Sequence, residues 1–158
     1  MADDAPTPPS GDGRPAAAQV ALVVTPVAGP GPLAATCAMA KVAVDVVPST
    51  VGAIAVCRDL TGGAPREAAI AISRLLKGVP VVLLERSGGH VSASRWLDGE
   101  QGEDLAAGLV LSGAPEVLED LLLGTTTPAE VDGAVSSVGL SRFRALRMLA
   151  ASARANRR

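Results

Sequence analysis

The chain has 158 residues, a formal net charge of −2 and 48% hydrophobic residues. This length suits one domain with a short appendage, and the apolar content excludes wholesale disorder. With one Phe, one Trp and no Tyr, the core must be filled by Ala, Val and Leu, which favours close packing of helices on a sheet; the mild acidity argues against a generic nucleic-acid binder.

Residues 1–18 are mostly Pro, Gly, Ala and Asp, with almost nothing to bury, and are expected to form a disordered tail. Met1-Ala2-Asp3-Asp4 is acidic where a secretory leader starts basic, and the apolar run after it is broken by Pro26. Neither a leader nor a membrane span is therefore expected, and the chain reads as cytoplasmic.

Residues 19–97 read as an α/β core. Val20–Val24 is a β-branched apolar run, the pattern of a strand covered on both faces. Pro26, Gly29, Pro30, Gly31 and Pro32 punctuate the loop after it, and Leu33–Lys41 reads as a short Ala-rich helix. Two apolar runs follow, 42–47 and 51–57, separated only by Pro48-Ser49-Thr50, so no crossover helix fits between them. Apolar positions Ala68, Ala69, Ile72, Leu75 and Leu76 predict a helix over 65–77, with Gly78 closing it. Residues 79–85 form a further strand, and Gly88-Gly89 turns the chain into a strand over 90–96 that pairs back. Strands alternating with helices predict a three-layer α/β domain with a mostly parallel sheet.

Residues 98–158 read as a helical extension, with helices over 103–111, 115–123, 128–138 and 141–154. Its charge is segregated. Residues 98–132 hold nine acids and no Lys or Arg, whereas residues 141–158 hold six arginines and no acid. In the plain reading both are solvated helix faces; in the sharper one Arg142, Arg144 and Arg147 bind an acidic surface of this chain or a partner. Leu140, Phe143, Leu146 and Leu149 give the last helix an apolar stripe. Residues 135–143 also have the Gly-x-Ser turn of a helix-turn-helix, although Val135 occupies a place usually kept small, so nucleic-acid binding through these helices is the weaker expectation.

The richest stretch is Cys57-Arg58-Asp59-Leu60-Thr61-Gly62-Gly63-Ala64-Pro65, an apolar strand, a glycine turn and a helix start. In an open parallel sheet, ligands bind beyond the carboxyl ends of the strands. Asp59, Thr61, Gly62 and Gly63, with Gly29 and Gly31 of the first loop and His90, are the candidate ligand-binding residues, and a small anion is the candidate ligand. Gly29-Pro30-Gly31-Pro32-Leu33-Ala34 matches G-x-G-x-x-A in form, but its prolines remove N–H donors, so it reads as a loop over the sheet edge. Asp59 and Glu85 form a candidate carboxylate pair, and Cys37 and Cys57 read as buried structural thiols. No cofactor, metal site or complete catalytic set is legible.

Asp59-Leu60-Thr61-Gly62-Gly63-Ala64-Pro65 with Glu67-Ala68-Ala69 resembles a segment of the enzyme IIA domains of the mannose-type sugar phosphotransferase system. The resemblance covers residues 20–97 in outline and about 15 residues specifically. It implies a flavodoxin-like fold, a phosphoryl group carried on a histidine after the first strand, and an aspartate beside it at the position of Asp59; it also favours a homodimer. Here Val27 stands where that histidine would be. The resemblance therefore implies a degenerate, non-catalytic binding or regulatory module with a ligand or protein partner, unless the glycine turn arose by convergence. The alternative is a phosphotransfer or anion-binding enzyme subunit that uses His90 or Asp59.

Overall fold

The computed structural model describes residues 19–139 together with Arg147, Leu149 and Ala150. The strands are β1 (Val20–Val24), β2 (Val44–Val47), β3 (Ile54–Cys57), β4 (Val81–Ser87), β5 (His90–Leu97), β6 (Glu100–Leu105) and β7 (Val135–Ser136). The helices are α1 (Pro30–Met39), α2 (Ala64–Leu75), α3 (Ala107–Ser112) and α4 (Glu116–Leu123).

The seven strands form one sheet in the order β6-β5-β4-β1-β3-β2-β7, and every neighbouring pair is antiparallel. This overturns the expected parallel, flavodoxin-like arrangement. The reason lies at Pro48–Ala53. Its turn is closed by the Gly52 N–H on the Ser49 carbonyl at 3.3 Å and by the Ser49 hydroxyl on the Gly52 carbonyl at 2.5 Å. So short a connection can only return the chain antiparallel. Gly52, at φ 131°, lies against Thr25 and Pro26, where a Cβ would run into the Thr25 carbonyl oxygen. Helix α1 then carries the chain from β1 past one strand position to β2, and α2 carries it from β3 past β1 to β4. The first four strands thus take the order 4-1-3-2 of the split βαβ arrangement.

Both sheet faces are covered. Ala21, Val23, Val44, Val46, Ala55, Cys57 and Leu83 face α1 and α2, meeting Leu33, Cys37, Ala69 and Ile72, with Trp96 of β5 closing the same cluster. Leu22, Ile54, Leu84 and Ala93 face the other way, against Leu118, Leu121 and Leu122 of α4. Alanines at Ala21 and Ala55 keep the first face shallow, so a core almost without aromatic rings still closes.

The β4–β5 hairpin turns at Gly88-Gly89, with Ser87 opposite His90. A second two-residue turn, Asp98-Gly99, joins β5 to β6 with φ of 50° and 87°, the positive pair that such hairpins require. Asp98 accepts the Gly78 N–H at 2.9 Å, and the Gly99 N–H donates to the Ser73 hydroxyl at 2.9 Å, which pins the turn to the end of α2. Residues 100–105, expected to start a helix at 103, are therefore strand. Residues 128–138 are also not helical: Pro128–Glu130 is a single 3-10 turn and Val135–Ser136 is β7. The Ser137 hydroxyl accepts the Val44 N–H at 2.9 Å and donates to the Val42 carbonyl at 2.7 Å, fastening this last piece to β2. The helical C-terminal extension is thus corrected to include two strands of the common sheet. The expected tail over 1–18, and Leu140, Arg142, Phe143, Arg144 and Leu146 of the expected last helix, lie outside the described residues.

Candidate functional site

Strand β3 ends at Cys57, and the chain bends at once. The Asp59 carboxylate accepts the Thr61 N–H at 3.0 Å and the Thr61 hydroxyl at 2.6 Å, which folds residues 59–61 into a tight turn. These bonds, the hydroxyl first, hold the Asp59 pKa below the usual carboxylate range. Gly62, at φ 53°, completes the reversal, and the Ala64 N–H donates to the Thr61 carbonyl at 3.0 Å as α2 begins. Pro65 sits in the first turn, where a missing N–H costs no helical bond.

Beneath this turn lies a hollow of about 310 Å³. Val42, Cys57 and Ala68 give it an apolar lining, and Lys41, Asp59 and Glu67 bring charge to it. Lys41 adopts φ 61°, an unusual backbone for a side-chain-bearing residue, at the turn that leads from α1 into β2. Glu67 occupies the first turn of α2, so the positive end of the helix faces the protein's own carboxylate. A second anion placed there would meet both Glu67 and Asp59.

The thiols are poor nucleophiles at neutral pH. Burial, then the charges of Glu85 and Asp59, pushes Cys57 up to about 12. Burial, then Cys57, pushes Cys37 up to about 12 as well. Asp59 and Glu85, paired from sequence, thus both act on Cys57. The register explains the reach of Glu85: it pairs with Ala21, and Leu22 pairs with Val56, so Ala21 lies between Glu85 and Cys57 in a row across one face.

Antiparallel pairing divides the remaining sequence candidates. The end of β1 at Val24 lies beside Ile54 and Val82, near the starts of β3 and β4. Gly29, before α1, and Gly31, in its first turn, are therefore at the opposite end of the sheet from Asp59, Thr61, Gly62 and Gly63. In a parallel sheet the two loops would have shared an end. His90 is exposed and shares the end of Asp59, but β5 and β3 are three strand spacings apart, about 14 Å. Arg147 is exposed. The strand at Val135–Ser136 removes the first helix of the helix-turn-helix reading. Lys41 and Glu67 were not singled out from sequence, although Glu67 sits inside the motif itself.

No family model, curated protein or solved structure matches the chain. The flavodoxin-like fold that the resemblance implies is not the fold adopted. Among the described residues, no group of three or more His, Cys, Asp and Glu is placed to hold a metal ion. No helix among them is long and apolar enough to cross a membrane.

Proposed function

We propose that this chain is a non-catalytic binding module whose ligand site is the hollow between the β3–α2 turn and the α1–β2 turn. One observation carries the reading: Asp59, Glu67 and Lys41 line a hollow with an apolar floor, and the sulfur among its lining residues is the Cys57 thiol, its pKa pushed up to about 12. Such a site can recognise charge but has no activated nucleophile. Asp59 and Glu67 favour a ligand that presents an ammonium group, and Lys41 favours one that also carries a carboxylate, so a small zwitterion fits better than the phosphate-like anion suggested by the glycine turn. Two free, buried thiols suit a reducing compartment, which supports the cytoplasm as its place.

The test is amide NMR of the full chain titrated with amino acids, inorganic phosphate and neutral polyols. Zwitterions are expected to shift Val42, Cys57, Ala64 and Ala68, and Asp59→Asn is expected to abolish those shifts. Phosphate shifting the same amides more strongly, or no compound shifting them, overturns the reading. Incubation with phosphoenolpyruvate, enzyme I and the phosphocarrier tests the phosphotransfer alternative. Gain of an acid-labile phosphoryl group on His90 would replace the binding reading with a catalytic one.

A further inference from the structure

The two borders of the sheet are unlike. Strand β7 has two residues, too few to template another strand, and Ser137 ties its end to β2. Strand β6 has six, Glu100–Leu105, and only Leu105 is partly covered. It pairs with β5 on one side, and among the described residues no strand pairs with its outer side. An edge of this length leaves a row of main-chain donors and acceptors open to another chain.

Charge selects what can use it. Glu100, Glu103 and Asp104 lie on β6, and residues 98–132 contain no Lys or Arg. Of the neighbouring groups, Arg74 lies against Gly99 and, with Lys77, beside Asp98 at the turn before β6, Arg95 of β5 reaches Glu103 at 3.4 Å, Gln101 donates to Asp104 at 3.4 Å, and Asp98 is held by the Gly78 N–H. Glu100 retains no ion pair among the described residues. Two copies joined through β6 would set these acids against one another, and like charges across a strand pair are destabilising. Beside the strand stands the exposed Leu97, which pairs with Glu100 on the same hairpin.

We infer that β6 is a docking edge for a basic, extended peptide segment of a partner protein, which adds to the sheet as an eighth strand. Main-chain hydrogen bonds would hold it; the bulge in β6 puts Glu100 on one face and Asp104 on the other, so Lys or Arg side chains would meet Glu100 in one register and Asp104 in the other. The same acids that keep copies of this chain apart would then admit the partner. This site is separate from the hollow beside Asp59, so either can fail without the other.

The probe is a fluorescent octapeptide of alternating Lys and Val, followed by anisotropy and by amide hydrogen exchange of the full chain. Expected are salt-sensitive binding, slowed exchange confined to β6, and affinity about tenfold weaker in the double variant E100K and D104K. The same peptide with alternate residues N-methylated is expected not to bind. Equal binding of the methylated peptide, indifference to charge reversal, or absence of binding overturns the proposal. So does slowed exchange, without peptide, at the β6 amides that point away from β5, which would reveal an occupant already in place, whether a second copy or another part of this chain. Circular dichroism of the charge-reversed variant separates loss of docking from loss of fold.

Discussion

The two helical layers differ in how the chain commits them to the sheet. Helices α1 and α2 are crossovers, each held at both ends by strands of the sheet, and α2 buries Ala68, Ala69, Ile72 and Ser73. Helices α3 and α4 lie on the other face after the last long strand. There α4 buries three leucines, α3 has no buried residue, and Leu109 and Leu123 are 77% and 53% exposed. A helix between two paired strands has its position fixed by the pairing. A helix that follows the sheet must hold itself down by its own contacts.

The largest expected effect tests that distinction at the core. Ile72→Ala is predicted to cost about 4 kcal/mol, and Leu122→Ala about 3 kcal/mol, in urea denaturation. If the second costs as much as the first and both broaden the transition equally, the two layers are one cooperative unit and the contrast fails. A smaller effect concerns the anchor of α4. Arg86 donates its Nε–H to the Leu122 carbonyl at 2.6 Å and an Nη1–H to Gln19 at 2.9 Å, closing the helix where Gly124 turns left-handed. Arg86→Met is expected to lose about 1.5 kcal/mol and to speed amide exchange in α4 while leaving α2 unchanged.

The thiols sharpen the comparison from the α1–α2 side, because both belong to that face. A thiol with an ordinary value of 9.0 unfolded and about 12 folded binds its proton more tightly when folded. Its stabilisation is complete below pH 9 and is lost as pH rises from 9 towards 12, by about 1.4 kcal/mol per thiol for each unit. Urea midpoints at pH 8 and pH 10 should therefore fall less steeply in the variant carrying Cys37→Ala and Cys57→Ala. Equal slopes would mean that the thiols ionise in the folded protein. The smallest effect is expected at Leu109→Ser, within about 0.5 kcal/mol by thermal melt. A larger loss would show α3 to be as firmly seated as α2.

Much of the element order was legible in the sequence, and strand direction was not. The apolar runs at 20–24, 42–47 and 51–57 contain the first three strands, and the helical spacing over 65–77 covers all of α2 but Ala64. A strand covered on both faces reads as continuous apolar residues whichever way its neighbours run, so those runs carried no direction. Direction was written in the connections: Pro48-Ser49-Thr50 left no room for a crossover. Asp98-Gly99 is itself a strong hairpin signal, and the acidic composition of 100–105 masked it, because β6 is held by the turn and by pairing rather than by propensity. Strand β7 is two residues, below any periodicity. The turn holding Asp59, Thr61, Gly62 and Gly63 was singled out from the strand–turn–helix pattern, and of these four Asp59 lines the hollow. The grouping with Gly29 and Gly31 failed together with the parallel sheet, because it depended on that sheet's polarity.

The central place of β1 also bears on synthesis. The first strand of the domain lies between β3 and β4, so as the nascent chain leaves the ribosome that strand can pair along one side once residue 57 has emerged, and its other side stays open until residue 87 has followed. The β2–β3 hairpin can close locally in the meantime, and β4, followed by β5, then covers the remaining side of β1. The strand on which both layers rest thus carries one open edge through the synthesis of α2 and β4, and a slow stretch of translation before β4 would prolong that exposure.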